Sequence, residues 1–283
     1  MIASIVIKNY HDTALRILHT LIALLKQHGV TQIRCEQETV GYADGLYAVS
    51  FPDLFLGTDV CFAIGGDGTI IHTAKAAAEY EQSVLGINAG RMGFMAALEE
   101  SELEYLSRFF DGQYFVEERK MLEITTDGNQ YYCLNDAVLS KGTLSKIIDI
   151  RVWCDEKMLT SFRGDGIIIA TPTGSTAYNL SAGGPVIDPN LECLSITPIC
   201  PHTLFTRPIV LKSDSKIEVQ GCYGHISDGD VYLTVDGEHA LKVTDQKIQI
   251  SGSAQKKARL IRLKDQSFCE IFNHKITEKR NEL

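Results

Sequence analysis

The chain has 283 residues, 45% of them hydrophobic and 22% charged, and a formal net charge of −9 at pH 7. That length suits one large or two modest domains, and with 23 glycines and 7 prolines it excludes disorder, collagen and coiled coil as the main architecture. The acidic balance excludes broad electrostatic binding to nucleic acid or to an anionic membrane, which needs a basic face, and leaves room for a local site for a phosphorylated small molecule.

The N-terminus, MIASIVIKNY, has a short apolar run without a basic lead and reads as a first strand, Ile2–Ile7, rather than a secretion signal. Thr13–His28 carries Leu15, Leu18, Ile22 and Leu25 at helical spacing, with Gly29 at the stop. Tyr42–Pro52 reads as a loop. Asp59–Ile64 is a second strand running into Gly-Gly-Asp-Gly, Thr69–Tyr80 an alanine-rich helix, and Ser83–Ile87 a third strand. Ser101–Phe110 predicts a helix capped by Ser101, with Glu104 completing a capping box. This βαβ rhythm implies a parallel sheet with helices on its faces.

From Tyr114 the rhythm changes to short alternating runs: Leu122–Thr126, Tyr131–Ser140, Ile147–Cys154, Met158–Phe162, Gly166–Ala170, Ile209–Leu211, Ile217–Gln220 and Val231–Val235. Asp-Gly and Gly-Asn turns punctuate them, as in antiparallel hairpins, and most such pairs need be nothing more than turns. Ser175–Ala182 predicts a short helix inside this region. Gln266–Lys279 predicts a closing helix, with Phe268, Ile271, Phe272 and Ile276 at helical spacing. The eight cysteines form no CxxC pair and are expected to be reduced, buried thiols of a cytoplasmic protein. No histidine has a zinc-spaced partner, so no metal held by protein ligands is expected. No apolar stretch of about 18 residues occurs, so no membrane partner is expected.

The strongest local signal is Gly65-Gly66-Asp67-Gly68-Thr69, between an apolar strand and a helix start. Glycines let a backbone approach a ligand and present N–H groups to an anion, and the helix N-terminus favours a phosphate. The loop is neither a Walker A sequence nor a dinucleotide GxGxxG fingerprint. Asp67 would repel a bare anion. It makes sense as a proton acceptor for a hydroxyl, as a group that sees Mg²⁺, or simply as a turn and cap residue. A second constellation joins Arg163-Gly-Asp165-Gly to Thr171-Pro-Thr173-Gly-Ser175-Thr176-Ala177-Tyr178-Asn179 and Ser181-Ala-Gly-Gly-Pro185, an apolar strand entering a hydroxyl-rich turn and helix. Asn135 and Asp136 interrupt another apolar run, where they either bond each other or the backbone, or hold ligand hydroxyls. A glycine-spaced loop, Gly86–Phe94, follows the third strand.

GGDGT after a strand, GINAGRMGF about twenty residues on, the Asn-acid pair and DGIIIATPTGSTAYNLSAGGP together resemble the NAD kinases, most strongly over Val60–Leu211. GGDGT alone also occurs in phosphofructokinases and lipid kinases; the long TPTGSTAY segment makes the match specific. Two positions depart from the family's habit: Asp136 stands where glutamate is usual, and Met92 where leucine is common. The resemblance implies an α/β domain over 1–113, completed by a C-terminal helix, 252–283, and a β-rich NAD-binding domain over 114–251. It implies phosphoryl transfer from ATP or polyphosphate to the 2′-hydroxyl of the adenosine ribose of NAD, with Mg²⁺ or another divalent cation as cofactor. Asp67 would be the general base. Gly65, Gly66, Gly68, Thr69, His72 and Phe94 would flank the nucleotides, and Asn135 and Asp136 would anchor ribose hydroxyls. Arg163 would offset negative charge and Asp165 bond a nicotinamide amide, with Thr173, Ser175, Thr176, Ala177, Tyr178 and Ser181 lining the remaining pocket. A homodimer or homotetramer is expected from the β domain's sheet edges. A lipid kinase, a silent NAD(P)-binding regulator and a dehydrogenase are the rival readings.

Overall fold

A computed structural model of the chain describes residues 1–281 apart from 91–92, 143–145, 204–205, 224–228 and 239, and the backbone alone of 275–281. The chain forms two compact units, residues 1–118 with 257–283, and residues 119–256.

In the first unit the elements run β1 (Ile2–Ile7), α1 (Asp12–Gln27), β2 (Gln32–Cys35), α2 (Gln37–Val40), β3 (Leu46–Ala48), β4 (Val60–Gly65), α3 (Asp67–Ala78), β5 (Ser83–Asn88), β6 (Leu98–Glu99) and α4 (Leu106–Phe110). The sheet is parallel, in the order β5-β4-β1-β2-β3, and Arg259 and Leu260 of the returning chain pair with Ser83 and Val84 of β5. Strands β1 and β4 are buried almost throughout and apolar but for Ser4, whose hydroxyl bonds the Leu54 carbonyl, because helices cover both faces of a parallel sheet. Helix α1 turns Ala14, Ile17, Leu18, Leu21, Ile22 and Leu25 into the core, where each fully buried Leu or Ile is worth about 1.5–3 kcal/mol. Its next residue but one, Gly29, takes φ +76° and ends it.

Three readings of this unit need correction. Strand β3 lies inside the stretch taken as a loop; two of its three residues are exposed, so no alternation marks it. The helix over Ser101–Phe110 is a 3₁₀ turn, Glu100–Tyr105, leading into α4, and its box is built two residues earlier than Ser101 suggests: the Glu102 carboxylate accepts from the Glu99 N–H at 2.9 Å. The C-terminal segment 252–283 is strand through Arg262 and helical only over Phe268–Asn281.

The second unit is antiparallel. Its strands are β7 (Phe115–Thr126, from Arg119 onward), β8 (Asn129–Cys133), β9 (Asp136–Lys141), β10 (Ile148–Cys154), β11 (Lys157–Gly164), β12 (Gly166–Ala170), β13 (Cys193–Ile199), β14 (Ile209–Lys212), β15 (Ile217–Cys222), β16 (Val231–Val235), β17 (Ala240–Lys242) and β18 (Lys247–Arg262, through Lys256). One sheet has the order β14-β13-β12-β9-β16-β17; β11-β10-β15-β18 forms the other, with the β7–β8 hairpin joined to β18. Apolar residues of both, among them Leu139, Ile150, Ile167, Ile169, Val219, Leu233 and Ile248, form one core. The run Tyr131–Ser140 is two strands, not one: it breaks at Leu134–Asn135, and its halves join different sheets. Strand β13 is absent from the sequence reading. Its Pro198 lies past the stretch paired with β14, so the missing N–H breaks no ladder there.

All eight cysteines are free. Cys35, Cys61 and Cys133 are buried, and burial pushes the Cys35 thiol up to about 11. The expectation of buried thiols fails at Cys200 and Cys269, which are exposed.

Candidate functional site

In the first unit, the parallel register sets Gly65 beside Asn88 at the carboxyl ends of β4 and β5. This is where open α/β sheets bind ligands. Gly66 is the N-cap of α3 and Asp67 its first residue. The Asp67 carboxylate accepts from the Phe94 N–H at 2.7 Å and the Met95 N–H at 3.0 Å, tying the loop after β5 to the glycine turn. Gly93 makes this possible, since a Cβ there would strike the Asp67 carboxylate. Each oxygen of Asp67 spends one acceptor position and keeps a second.

The glycines of the turn divide into two kinds. A Cβ on Gly65 would sit 2.5 Å from Thr69 Oγ1 and 2.7 Å from its Cβ, so that glycine serves the protein's own packing. Among the described residues, nothing beyond the adjoining backbone lies within 4 Å of where a Cβ on Gly66 or Gly68 would stand. Their bareness leaves open space at the helix N-terminus, where first-turn N–H groups lack helical partners. His72, one turn on in α3, packs its ring at 5.1 Å from Phe51, with Lys8 Nζ 5.5 Å from the same Phe51 ring. The Phe94 ring lies 6.4 Å and 6.3 Å from Phe268 and Phe272 of the C-terminal helix. Arg91 and Met92 of the same loop lie outside the described residues.

In the second unit, β12 ends at Ala170 and the chain turns through a 3₁₀ segment, Thr173–Thr176, into the four-residue helix α5, Tyr178–Ser181. Thr171 holds this turn against the strand break. Its Oγ1 donates to the Leu134 carbonyl at 2.6 Å, its N–H donates to the Asn135 carbonyl at 2.9 Å, and its Oγ1 accepts from the Gly174 N–H at 3.0 Å. The Asp236 carboxylate caps the same break, accepting from the N–H groups of Leu134, Asn135 and Asp136 at 2.9, 2.7 and 3.3 Å. Asp136 itself is 5% exposed. Burial, and then the facing Asp236 charge, push its carboxyl up to about 7.

The predicted ligand residues of this unit separate. Asn135, Asp136, Thr173, Thr176 and Ala177 gather around the turn, with Tyr178 exposed at 47% and Ser181 at the surface. Thr173 accepts a 3.4 Å bond from the buried Arg119. Ser175 is fully buried and faces inward, donating to the Ile187 carbonyl at 3.2 Å and accepting from the Ile187 N–H at 3.0 Å. Its donor and one acceptor position are engaged inside the protein, pinning the turn to Ile187. Asn179 is the neighbouring hub: its Oδ1 accepts from Thr197 at 2.6 Å and Ser195 at 3.3 Å, and its Nδ2 donates to the Ser175 and Pro185 carbonyls. Arg163 and Asp165 do not pair with each other. Arg163 Nε lies 3.3 Å from Asp149, and Asp165 is bridged to Lys141 at 2.6 Å. Sequence reasoning gave no role to Thr171, Asn179 and Asp236; the polar types in TPTGSTAYN were visible, but not which of them face inward.

Residues 51–114 match the ATP-NAD kinase N-terminal domain, and residues 134–263 the ATP-NAD kinase C-terminal domain. The NAD kinase of Clostridium botulinum (strain Kyoto / Type A2) is 44% identical over 229 residues, covering 79% of this chain and 80% of that protein. The NAD kinase of Clostridium perfringens (strain 13 / Type A) is 35% identical over 277 residues, covering 96% and 97%. Among solved structures, an NAD kinase from Archaeoglobus fulgidus in complex with ATP has a TM-score of 0.74 at 25% identity, covering 96% of each chain. Yeast NADH kinase complexed with NADH shares the fold, with a TM-score of 0.83 at 23% identity, covering 96% of this chain and 86% of that one. With such identity over most of its length, the chain belongs to the NAD kinase family.

Proposed function

We propose that this protein phosphorylates NAD to NADP, with ATP as phosphoryl donor. The observation that carries the reading is Asp67, the first residue of α3. Two backbone N–H groups hold its carboxylate while Gly66 and Gly68 leave open space beside it. The bound ATP and NADH in the two solved relatives support the same pair of ligand classes here.

In this reading the 2′-hydroxyl of the adenosine ribose gives its proton to a free lone pair of Asp67. The ribose oxygen forms a bond to the γ-phosphorus as the bond from that phosphorus to the β-phosphate oxygen breaks, and ADP leaves. Backbone N–H groups at the start of α3 hold phosphate oxygens, and the helix dipole favours their charge. Asn135 and Asp136 anchor ribose hydroxyls, and Thr173, Thr176, Ala177, Tyr178 and Ser181 line the base-binding surface. Asp165 reaches a carboxamide only by sharing itself with Lys141. Among the described residues no group of three His, Cys, Asp or Glu is arranged to hold a metal ion. In this reading a divalent cation comes with the triphosphate, held chiefly by phosphate oxygens, as Mg²⁺ commonly is; no step is assigned to it.

A homodimer or homotetramer built on the edge strand β14, where Val210 is 50% exposed, and a cytoplasmic location in keeping with eight free thiols, belong to the same proposal. Among the described residues no helix is long and apolar enough to cross a membrane. The test is direct: purified protein incubated with NAD, ATP and Mg²⁺ is expected to yield NADP, and a chelator to stop it. Tight NAD binding with no NADP formed would favour the silent regulator.

A further inference from the structure

The break at Leu134–Asp136 poses an accounting question, because buried backbone donors and acceptors must find partners. Here two residues supply nearly all of them. Thr171 takes the carbonyls of Leu134 and Asn135. Asp236 takes the three N–H groups, and its own N–H donates to the Asp136 carbonyl at 3.0 Å. With the backbone satisfied in this way, the polar side chains of Asn135 and Asp136 are released for another use. Asp136 is buried, yet among the described residues neither the hydroxyls of the Thr171–Ser175 turn nor β12, which sets Ala170 opposite it, bonds its carboxyl.

Asp236 does more than close a hairpin. It sits with Gly237 in the turn after β16, both with positive φ (+51° and +69°), and the Glu238 N–H donates to the Val235 carbonyl at 2.9 Å. Such a turn accepts asparagine at least as readily as aspartate. Turn geometry therefore does not demand the carboxylate. What demands it is the row of three N–H groups across from it, which one amide oxygen could not satisfy.

We infer that Asp236 is the positioning residue of the dinucleotide site: its carboxylate fixes the backbone of Leu134–Asp136 and so aims Asn135 and Asp136 at the ribose hydroxyls. The inference rests on the reading that this pair binds NAD. Asp236 also acts through charge. Among the described residues it is the charged group that faces Asp136, while β12 and the Thr171–Ser175 turn present an alanine and hydroxyls.

The test uses the full chain and Asp236→Asn, with Asp236→Ser as a second uncharged variant should the first not fold. In the unliganded protein, amide exchange at Asn135 and Asp136 is expected to quicken at least about tenfold, the effect of roughly 1.4 kcal/mol of lost hydrogen bonding. KM for NAD is expected to rise by a similar factor, with kcat within about twofold and KM for ATP unchanged. The pH at which NAD binding fails on acidification, near neutrality in the parent, is expected to move down, because a like charge beside Asp136 has gone. Unchanged exchange overturns the inference. So does faster exchange with the parent's KM for NAD and parent pH profile. Because exchange is read without ligand, a parent protein that makes no NADP overturns the proposed function while leaving the Asp236 backbone role to be judged separately.

Discussion

Asp67 and Asp236 are held in the same way and are asked to do different things. Each is an aspartate beside a glycine, at the end of a strand, accepting backbone N–H groups from a distant stretch of chain: Phe94 and Met95 in one case, Leu134 to Asp136 in the other. At Asp67 the described residues leave space open beside Gly66 and Gly68, so in the proposed reaction the held carboxylate is itself the base. At Asp236 the carboxylate is spent on the backbone, and in the proposed reading it is its neighbour, Asp136, that meets the ligand. The pairing teaches that hydrogen bonds fix where a carboxylate sits, while free space beside it decides whether it can meet a substrate.

The largest expected effect breaks the first half of that comparison. Asp67→Asn cannot take the ribose proton, so turnover is expected to fall by roughly 10²–10⁴. Its amide NH₂ would also confront an N–H, costing about 1 kcal/mol of stability. Melting, NAD affinity and turnover measured together separate the roles: a folded variant with full turnover sinks the base assignment.

Asp136 sharpens the second half. Asp136→Ala is expected to weaken NAD binding by about 1–3 kcal/mol, read by calorimetry at pH 8. Asp136→Asn should do so too, while making the unliganded protein more stable. The sign follows from linkage. The folded carboxyl lies at about 7 against an unfolded value of 3.8, so the native state holds the proton more tightly. The parent's stability therefore declines as pH rises from the unfolded value and levels off above about 7. The variant's advantage in melting temperature should be absent at the acid end of this range and full above neutrality. An equal advantage at every pH would mean that ionisation of Asp136 is not its source.

The smallest effect concerns the glycines. Gly65→Ala would push a methyl into the Thr69 side chain and is expected to lose about 1–3 kcal/mol of stability. Gly68→Ala should melt near the parent and show its loss in KM for ATP. Equal losses of stability in both would contradict the division of the turn into packing and ligand glycines.

Much of this was legible from residues. The runs Ile2–Ile7 and Val60–Gly65 are apolar but for Ser4 because both sheet faces are covered, and of the helix-spaced residues of α1, Leu18, Ile22 and Leu25 are buried while Leu15 is half-buried against the core. Hydroxyl direction was not legible. Ser175 and Thr176 adjoin in sequence, but the 3₁₀ turn sends one inward to Ile187 and sets the other half-buried at the surface. Nor was the weight of Asp236, because Asp-Gly reads as a turn wherever it occurs and its three N–H partners lie about a hundred residues upstream. The break at Leu134–Asn135 stayed hidden for the same reason: its cause is a distant carboxylate, not a local Gly or Pro.

The discontinuity of the first unit has a consequence for synthesis. Its sheet, read from the N-terminus, lacks the strand that pairs with Ser83 and Val84 on the far edge of β5, and its core lacks Ile261 and Leu263, until residues 257–263 have been made. The second unit is contiguous and can complete itself while that edge still waits. During that interval the nascent α/β half carries an open apolar strand, a place for wrong pairing, which late translation of a few residues closes. Premature stops near the C-terminus should therefore damage the half of the protein made first, not the half made last.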